Sequence, residues 1–366
     1  MKALIIGAGI HGITLACELA KHSIKVTVVD RRQEILLETS NSTHNRVNMG
    51  YHYPRSFDTA KECHEGFEFF KRNLPSALYY PSECYYSIES NSSNVDAKQY
   101  KSFLDEVGLK YTIEDPINGL LLKENIEASF KVWEPCYDVQ ILRRIFNQKI
   151  ENLGVELVLG FDIVDARIDG RKVKLVSFCN HTLEEDYDII VNATYAFTNN
   201  IQRLFRCEEP KKQYRFQKTE VVVATHTKQT LPAITIMDGA FITVLPYAYG
   251  GHSNEYLVYD VVNSVHTVHV GEYLPVADIS RCEMTNYSKM LESGKRYFSF
   301  MEDLKPKSSL WAYRPIPLSS LSDDSRVTNV IKHNNHNCFY SILEGKFVSA
   351  PLKGNLICEM ILEKSL

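Results

Sequence analysis

Residues 1–30 read MKALIIGAGIHGITLACELAKHSIKVTVVD, and the fold turns on how this stretch is interpreted. The run Ala3-Leu4-Ile5-Ile6 is short, apolar and uncharged, as suits a strand buried on both faces of a parallel sheet. A turn with Gly7, Gly9 and Gly12 follows in the order GAGIHG. Residues Ile13 to Lys21 are rich in helix formers, and a second apolar strand, Val26 to Val29, ends on Asp30. This is a βαβ unit with its glycines and its acid where a dinucleotide-binding unit has them. Gly7 permits the sharp turn out of the strand, Gly9 lets a pyrophosphate approach the backbone, and Gly12 lets the helix pack closely. The helix start offers N–H groups and a positive dipole end to the phosphates, and Ile10 and His11, in the turn before it, are cofactor-binding candidates. Asp30 would accept hydrogen bonds from the ribose hydroxyls of an adenosine. Arg31 and Arg32 hint at a 2′-phosphate, which an acid at position 30 would repel; being merely solvated or reaching the diphosphate are the other roles open to them. The motif alone does not separate FAD from NAD(P).

Composition narrows the class. The chain has 366 residues, 44% hydrophobic and 23% charged, enough for two domains or one interleaved one. Lys+Arg 41 against Asp+Glu 45 gives a net charge of −4, which argues against nucleic acid or an anionic membrane as partner. Nine scattered cysteines without a CxxC are no disulfide framework and point to a reducing, cytoplasmic location. Without Cys or His pairs at ligand spacing, no metal site is expected. No apolar run is long enough for a transmembrane segment. Lys2 before an apolar stretch imitates a secretory signal, but the βαβ unit uses the same residues.

The next informative stretch is Thr43-His44-Asn45-Arg46-Val47-Asn48-Met49-Gly50-Tyr51-His52-Tyr53-Pro54-Arg55. It is too polar and too broken for a core element, and a loop just after the second strand of such a fold lines the cofactor crevice. It resembles the D-amino-acid-oxidase-like (DAO) family of FAD-dependent oxidoreductases, to which glycine and sarcosine oxidases and glycerol-3-phosphate dehydrogenase belong. The resemblance implies FAD as cofactor, with Thr43, His44, Asn45 and Arg46 at the flavin diphosphate or ring and Gly50 and His52 near the isoalloxazine. For His52 and Arg55, a surface turn or an internal salt bridge is the competing interpretation. Further on, Tyr187 to Tyr195 resembles the family's second signature: Asn192 and Ala193 match, and Tyr195 stands where glycine is usual. Val164 falls where the family holds the adenine through a backbone contact. The C-terminal strand, the Glu344-Gly345-Lys346 turn and the helix Ser349 to Glu363 resemble the family's ending, which places Gly345 and Lys346 at the flavin pyrimidine edge.

The remaining elements follow from pattern. Helices are expected over Asp58–Asn73, Ala97–Val107, Val139–Leu153 (capped by Asp138 and ended by Gly154), and Ser280–Phe300. Gly119–Leu122 and Ala128–Val132 are expected as strands, as are Thr219–Ala224, Ala233–Met237, Phe241–Leu245, Tyr256–Val262 and Thr267–Val270, with Asp238-Gly239 as a hairpin turn. Tyr247 and Tyr249 follow one of these runs as pocket-lining candidates, although core or rim packing is the stronger expectation for each. Arg314, in Trp311–Leu318, is the best candidate to hold a substrate carboxylate, since a guanidinium binds that group bidentately; a structural cation is the equal competing interpretation, and Arg326 is the runner-up.

The expected fold is α/β, a Rossmann-like FAD-binding domain interleaved with an antiparallel-sheet substrate domain. Residues 1–75, 134–210 and 320–366 form the discontinuous first domain, and 76–133 and 211–319 the second. The expected activity is hydride transfer to the flavin from the C–N or C–OH carbon of a small, anionic substrate, with oxygen or a carrier as electron acceptor. His52 takes or orients the substrate proton, and Arg314 anchors the anionic end. The rivals are an NAD(P)-dependent dehydrogenase and a flavin-binding protein without catalysis.

Overall fold

The computed structural model describes residues 1–116, 119–209, 211–248, 254–275, 284–320, 328–333, 339–343 and 345–363. Among them, six strands form one mainly parallel sheet in the order Asn329–Lys332, Phe339–Leu343, Ile189–Asn192, Lys2–Ile6, Lys25–Asp30, Glu156–Leu159. Only Asn329–Lys332 runs antiparallel to its neighbour. Three distant parts of the chain therefore meet in one sheet. The strand Lys2–Ile6 sits between Ile189–Asn192 and Lys25–Asp30, so the strand order reverses there. Ligands of open α/β sheets bind at that reversal, beyond the carboxyl ends of the strands.

The first strand shows why its sequence carries no polar residue after Lys2. Ala3 and Ile5 pack into a cluster with the helices Ile10–Lys21, Val139–Leu153 and Ala350–Glu363. Leu4 and Ile6 face the opposite side, where a three-stranded meander (Ile163–Asp169, Lys172–Ser177, Thr182–Asp186) covers the sheet. Both faces are buried, and each large aliphatic so buried contributes roughly 1.5–3 kcal/mol.

The first helix runs Ile10–Lys21, three residues earlier than its formers suggest, because Gly9 is its N-cap and Ile10-His11-Gly12 make the first turn. Asp138 caps Val139–Leu153 by accepting from the Gln140 and Ile141 amides, and Gly154 ends it at φ +66°. The helix expected over Ser280–Phe300 shortens to Tyr287–Gly294; residues 280–283 lie outside the described ones. At Gly294 a Cβ would meet Met301 Sδ at 2.6 Å, so the chain turns where it packs most closely.

A second sheet of nine strands, again among the described residues, joins Cys84–Glu89 and Ile126–Val132 to the strands between Tyr214 and Pro317. It is antiparallel except where Cys84–Glu89 runs parallel to Ala233–Met237. Ala233–Met237 and Ile242–Pro246 form the expected hairpin, with Gly239 at φ +145°. Gly119–Leu122 is not a strand. Only Leu121 bridges, to Phe298, and the Leu122 N–H donates to Tyr297 O (2.9 Å). Leu120 and Leu121 are buried by aromatic packing rather than by ladder pairing. The segment carrying Arg314 is the long strand Lys305–Pro317, paired along Tyr214–Thr225.

Candidate active site

The glycine turn is built by close approach. Gly7 has φ +106°, and a Cβ there would meet Ala193 O at 2.7 Å; one on Gly12 would meet Gly7 O at 1.9 Å. Gly9 differs, because its Cβ would meet only Ser40 Oγ, at 3.6 Å. The helix start is open on that side, has no acidic residue in its first turn, and favours an anion. Asp30 Oδ2 accepts from the Ala8 N–H (2.6 Å) and Oδ1 from the Arg32 N–H (2.7 Å). Each carboxylate oxygen keeps a second lone pair for a ribose hydroxyl. Burial raises the pKa of Asp30 against the pull of these two amides. Arg31 and Arg32 both pair with Glu38, and Arg31 lies over the Phe197 ring, so neither presents itself to a 2′-phosphate.

The C-terminal turn meets this N-terminal one. His11 Nε2 lies 3.2 Å from Lys346 O, and a Cβ on Gly345 would collide with the His11 ring at 2.0 Å. Thr14 Oγ1 donates to Ala350 O (3.2 Å), which ties the first helix to the last. Lys346 Nζ reaches Tyr53 Oη at 2.7 Å and lies over the Tyr53 ring. Burial lowers the His11 pKa to about 4. A histidine depressed in this way stabilises the fold above the unfolded value of 6.5, and the contribution is lost as pH falls toward 4. The expected loss over that window is about 3 kcal/mol. Urea midpoints of the FAD-free protein measured across it should fall, and His11→Asn should flatten that part of the slope.

The loop after Ser40 carries the polar half of the site. Ser40 Oγ accepts from the Ile10 N–H (3.1 Å), and Tyr137 Oη donates to Ser40 O (2.8 Å) and contacts Thr43 Oγ1 (2.9 Å). Asn45 takes φ +52°, and both ends of its fully buried amide are without a protein partner. His44 Nε2 and Tyr259 Oη are also buried and unpartnered, and the His44 and Tyr259 rings meet edge to face at 4.3 Å. Each such group costs about 1–3 kcal/mol if nothing bonds to it. Beside an open helix N-terminus and a ribose-type carboxylate, these orphaned atoms fit a bound flavin dinucleotide.

His44, Arg46, His52 and Arg314 converge, although Arg314 comes from the other sheet. Burial first, and then the charges of Arg46, His52 and Arg314, hold the His44 pKa well below its ordinary value, so its ring is neutral at pH 7. Arg46 forms a buried ion pair with Glu134 (3.2 Å), and donates to Tyr86 Oη (2.6 Å) and Thr235 Oγ1 (2.5 Å). Tyr86 O–H donates to Glu134 Oε2 (2.5 Å), and the Met49 N–H to Glu134 Oε1 (2.8 Å). His52 Nδ1 lies 3.4 Å from Arg46 Nη1. Arg314 donates through Nε and Nη2 to Gln217 Oε1, a neutral acceptor that leaves its charge uncancelled there. Arg55 is taken up by Asp238 (2.5 Å), the internal salt bridge weighed for it.

Other candidates lie apart. Asn192 is fully buried and holds its own turn, donating to Thr198 O (2.9 Å) and accepting from Thr194 Oγ1 (2.6 Å). Ala193 is the floor beneath Gly7. Tyr195 takes φ +53° without being glycine, at a cost of about 1–2 kcal/mol. Thr198 Oγ1 donates to its carbonyl (2.8 Å), and packing with the Tyr214–Phe216 cluster holds it, so the glycine-like conformation survives the substitution. Val164 is the extra residue at a register shift in the meander, between Asp165 and Ile163, which pair with Val176 and Ser177. Tyr247 lines a cleft of about 760 Å³ between the two sheets, with Asn41, Arg143 and Leu310. Tyr249, Arg326 and Glu344 lie outside the described residues. Sequence reading missed Ser40, Tyr86, Glu134, Thr235 and Tyr259. For Glu134 the only local signal is an acid directly before Pro135, beside a charged loop.

A dinucleotide turn, a neighbouring antiparallel sheet and basic side chains drawn from both are the features of a flavin-dependent oxidoreductase of two interleaved parts. The family described as DAO, FAD dependent oxidoreductase, matches residues 2–359, and the chain belongs to it. It is an enzyme, and FAD is its cofactor; the nicotinamide alternative falls with that membership. An FAD-dependent monooxygenase, FPY4 of Fusarium mangiferae, is 22% identical over 355 residues, covering 93% of this chain and 86% of that protein. Glycine oxidase from Geobacillus kaustophilus shares the fold with a TM-score of 0.78 at 13% identity, covering 99% and 94% of the two chains. L-alpha-glycerophosphate oxidase from Mycoplasma pneumoniae, solved with FAD bound, gives 0.77 at 15% identity, covering 98% and 94%. No helix among the described residues is long and apolar enough to cross a membrane.

Proposed function

We propose that the enzyme oxidises a small anionic amine, amino acid or hydroxy acid at its C–N or C–OH carbon, with oxygen or a carrier as the final electron acceptor. FAD, when bound, supplies the two-electron acceptor; the chain supplies orientation and electrostatics. The observation that carries this reading is that Arg46 lies 3.4 Å from His52 and two residues from the half-buried His44, a ring that the charge of Arg314, on the other sheet, also reaches. Such a grouping attracts an anion, and Arg46, already paired with Glu134, leaves Arg314 as the guanidinium for a substrate carboxylate. His52, whose Nδ1 accepts from Arg46, carries its own proton on Nε2 and orients the reacting amine or hydroxyl through that N–H. Gly9, Ile10, His11 and Asp30 hold the adenosine diphosphate half, the Val164 backbone meets the adenine, and His44, Asn45, Gly345 and Lys346 lie toward the flavin. The seven described cysteines are free thiols, which supports a cytoplasmic location.

The test is anaerobic mixing of yellow enzyme with a panel of amino acids, amines and hydroxy acids, followed by bleaching of the flavin. Arg314→Lys should raise KM for the bleaching substrate by about ten- to a hundredfold, the worth of a charged hydrogen-bond pair, while kcat changes little. His52→Gln should lower kcat instead. A panel without a bleaching acid, or an unmoved KM in Arg314→Lys, ends the anionic-substrate reading.

A further inference from the structure

On the meander side of the six-stranded sheet, away from the groups assigned to flavin and substrate, three side chains of unlike chemistry meet. Cys207 Sγ, a Glu209 carboxylate oxygen and a His333 ring nitrogen all lie within 4.8 Å of one another. Cys207 and His333 are buried, and the Glu209 side chain is 16% exposed. His333 Nδ1 is 2.6 Å from Glu209 Oε2, and its Nε2 is 2.8 Å from Ser341 Oγ.

We propose that Cys207, Glu209 and His333 form a binding site for one zinc-type divalent cation. Thiolate, imidazole and carboxylate are the donors zinc takes, at about 2.0–2.3 Å, so tetrahedral ligand atoms stand about 3.3–3.8 Å apart. Groups already within 4.8 Å reach that spacing by small side-chain rotations. Charge balance favours the arrangement: two anionic ligands and a neutral imidazole cancel the dication. No net charge is left in an apolar layer that includes Leu4, Ile6, Phe205 and Phe339. Water fills the fourth position.

The protons balance as well. Burial holds the Cys207 thiol up at about 12, so without an ion it stays protonated. Forming the metal–sulfur bond releases that one proton to solvent. His333 keeps a single proton: without an ion it lies on Nδ1, donated to the Glu209 carboxylate, and ion binding at Nδ1 shifts it to Nε2, donated to Ser341 Oγ. A ligating histidine is commonly oriented in this way through its second nitrogen. Lys211 donates Nζ to the carbonyls of Cys207 (2.7 Å) and Glu209 (2.8 Å) and so ties these two residues together.

The ion would tie the loop after the helix Thr198–Leu204 to the two C-terminal strands. Ser341 Oγ also lies within reach of the Gln202 amide (3.2 Å) and the Asn192 amide (3.4 Å), one of which takes its remaining lone pair when His333 donates to it, so the tie reaches the strand beside the glycine turn. Its role is structural, and it stands apart from the proposed reaction.

The test uses the FAD-loaded enzyme stripped with a chelator and titrated with Co²⁺ and then Zn²⁺. The expected result is one Co²⁺ per chain with a thiolate-to-cobalt charge-transfer band, displaced by Zn²⁺. Cys207→Ser removes the band. Glu209→Gln, close in shape and able to keep its contact with His333, weakens uptake by at least about tenfold, the loss that even an outer-shell change brings. Zn²⁺ raises the melting temperature of the unaltered enzyme and not that of Glu209→Gln. No stoichiometric uptake, an undiminished band in Cys207→Ser, or equal melting shifts in both proteins overturns the site and leaves a hydrogen-bonded cluster only.

Discussion

Gly12→Ala protein is expected to purify without FAD and with its stability lowered by about 3 kcal/mol or more, at the upper end for an overpacked site. The added Cβ would lie 1.9 Å from Gly7 O, where carbon contacts require about 3.5 Å. Gly7 has little freedom to yield: its N–H is bonded to Val29 O (2.8 Å), and the backbone at Ala193 lies so near that a Cβ on Gly7 would meet Ala193 O at 2.7 Å. The turn must open, and opening it dismantles the cradle for the diphosphate. Gly9→Ala is the companion measurement. Its Cβ would make an ordinary contact, 3.6 Å from Ser40 Oγ, so the FAD-free protein keeps its melting temperature while flavin affinity drops. Flavin-to-protein absorbance ratios and thermal melts of both variants decide the matter. A Gly9→Ala enzyme as yellow as the parent would mean that no phosphate approaches there.

Glu134→Ala is expected to cost 3–5 kcal/mol, roughly the loss on breaking a buried ion pair. The Arg46 guanidinium, with a side chain only 8% exposed, would keep Tyr86, Thr235 and His52 as neighbours but lose its counter-charge. The Met49 N–H would lose its acceptor, and the loop leading to Gly50 and His52 would loosen. Activity should fall with stability, since His52 takes its orientation from Arg46. Glu134→Gln keeps one acceptor oxygen, for either the Met49 N–H or the Tyr86 O–H, and should lie between the parent and the alanine variant. Denaturant midpoints at unchanged slope measure the effect. A loss under about 1 kcal/mol, the range of an exposed pair, would show that Arg46 is held by its neutral neighbours.

Legibility differed by element for physical reasons. The βαβ unit was readable because strand, turn and helix are consecutive, and each glycine answers to a contact inside or beside the unit. The same holds for Asp138 and Gly154, whose capping is local. The leucines at 120–122 were misread as a strand because an apolar run reports burial, not the manner of burial; here Phe298 and its neighbours cover them. The helix before Phe300 was overextended because nothing local announces that Met301 packs against Gly294. Tyr195 shows the opposite case: the usual residue is absent, yet the surroundings impose the left-handed conformation on tyrosine.

The sequence by itself determined that a dinucleotide-binding unit opens the chain and that a polar loop rich in His, Asn and Arg follows it. Those features depend on residues near one another along the chain, where steric and capping rules act directly. Only the tertiary structure decided that Arg314 joins His44, Arg46 and His52, that Glu134 neutralises Arg46, and that Cys207 meets His333. Those meetings follow from strand pairing and from burial shared between segments far apart in the chain, which no local pattern encodes.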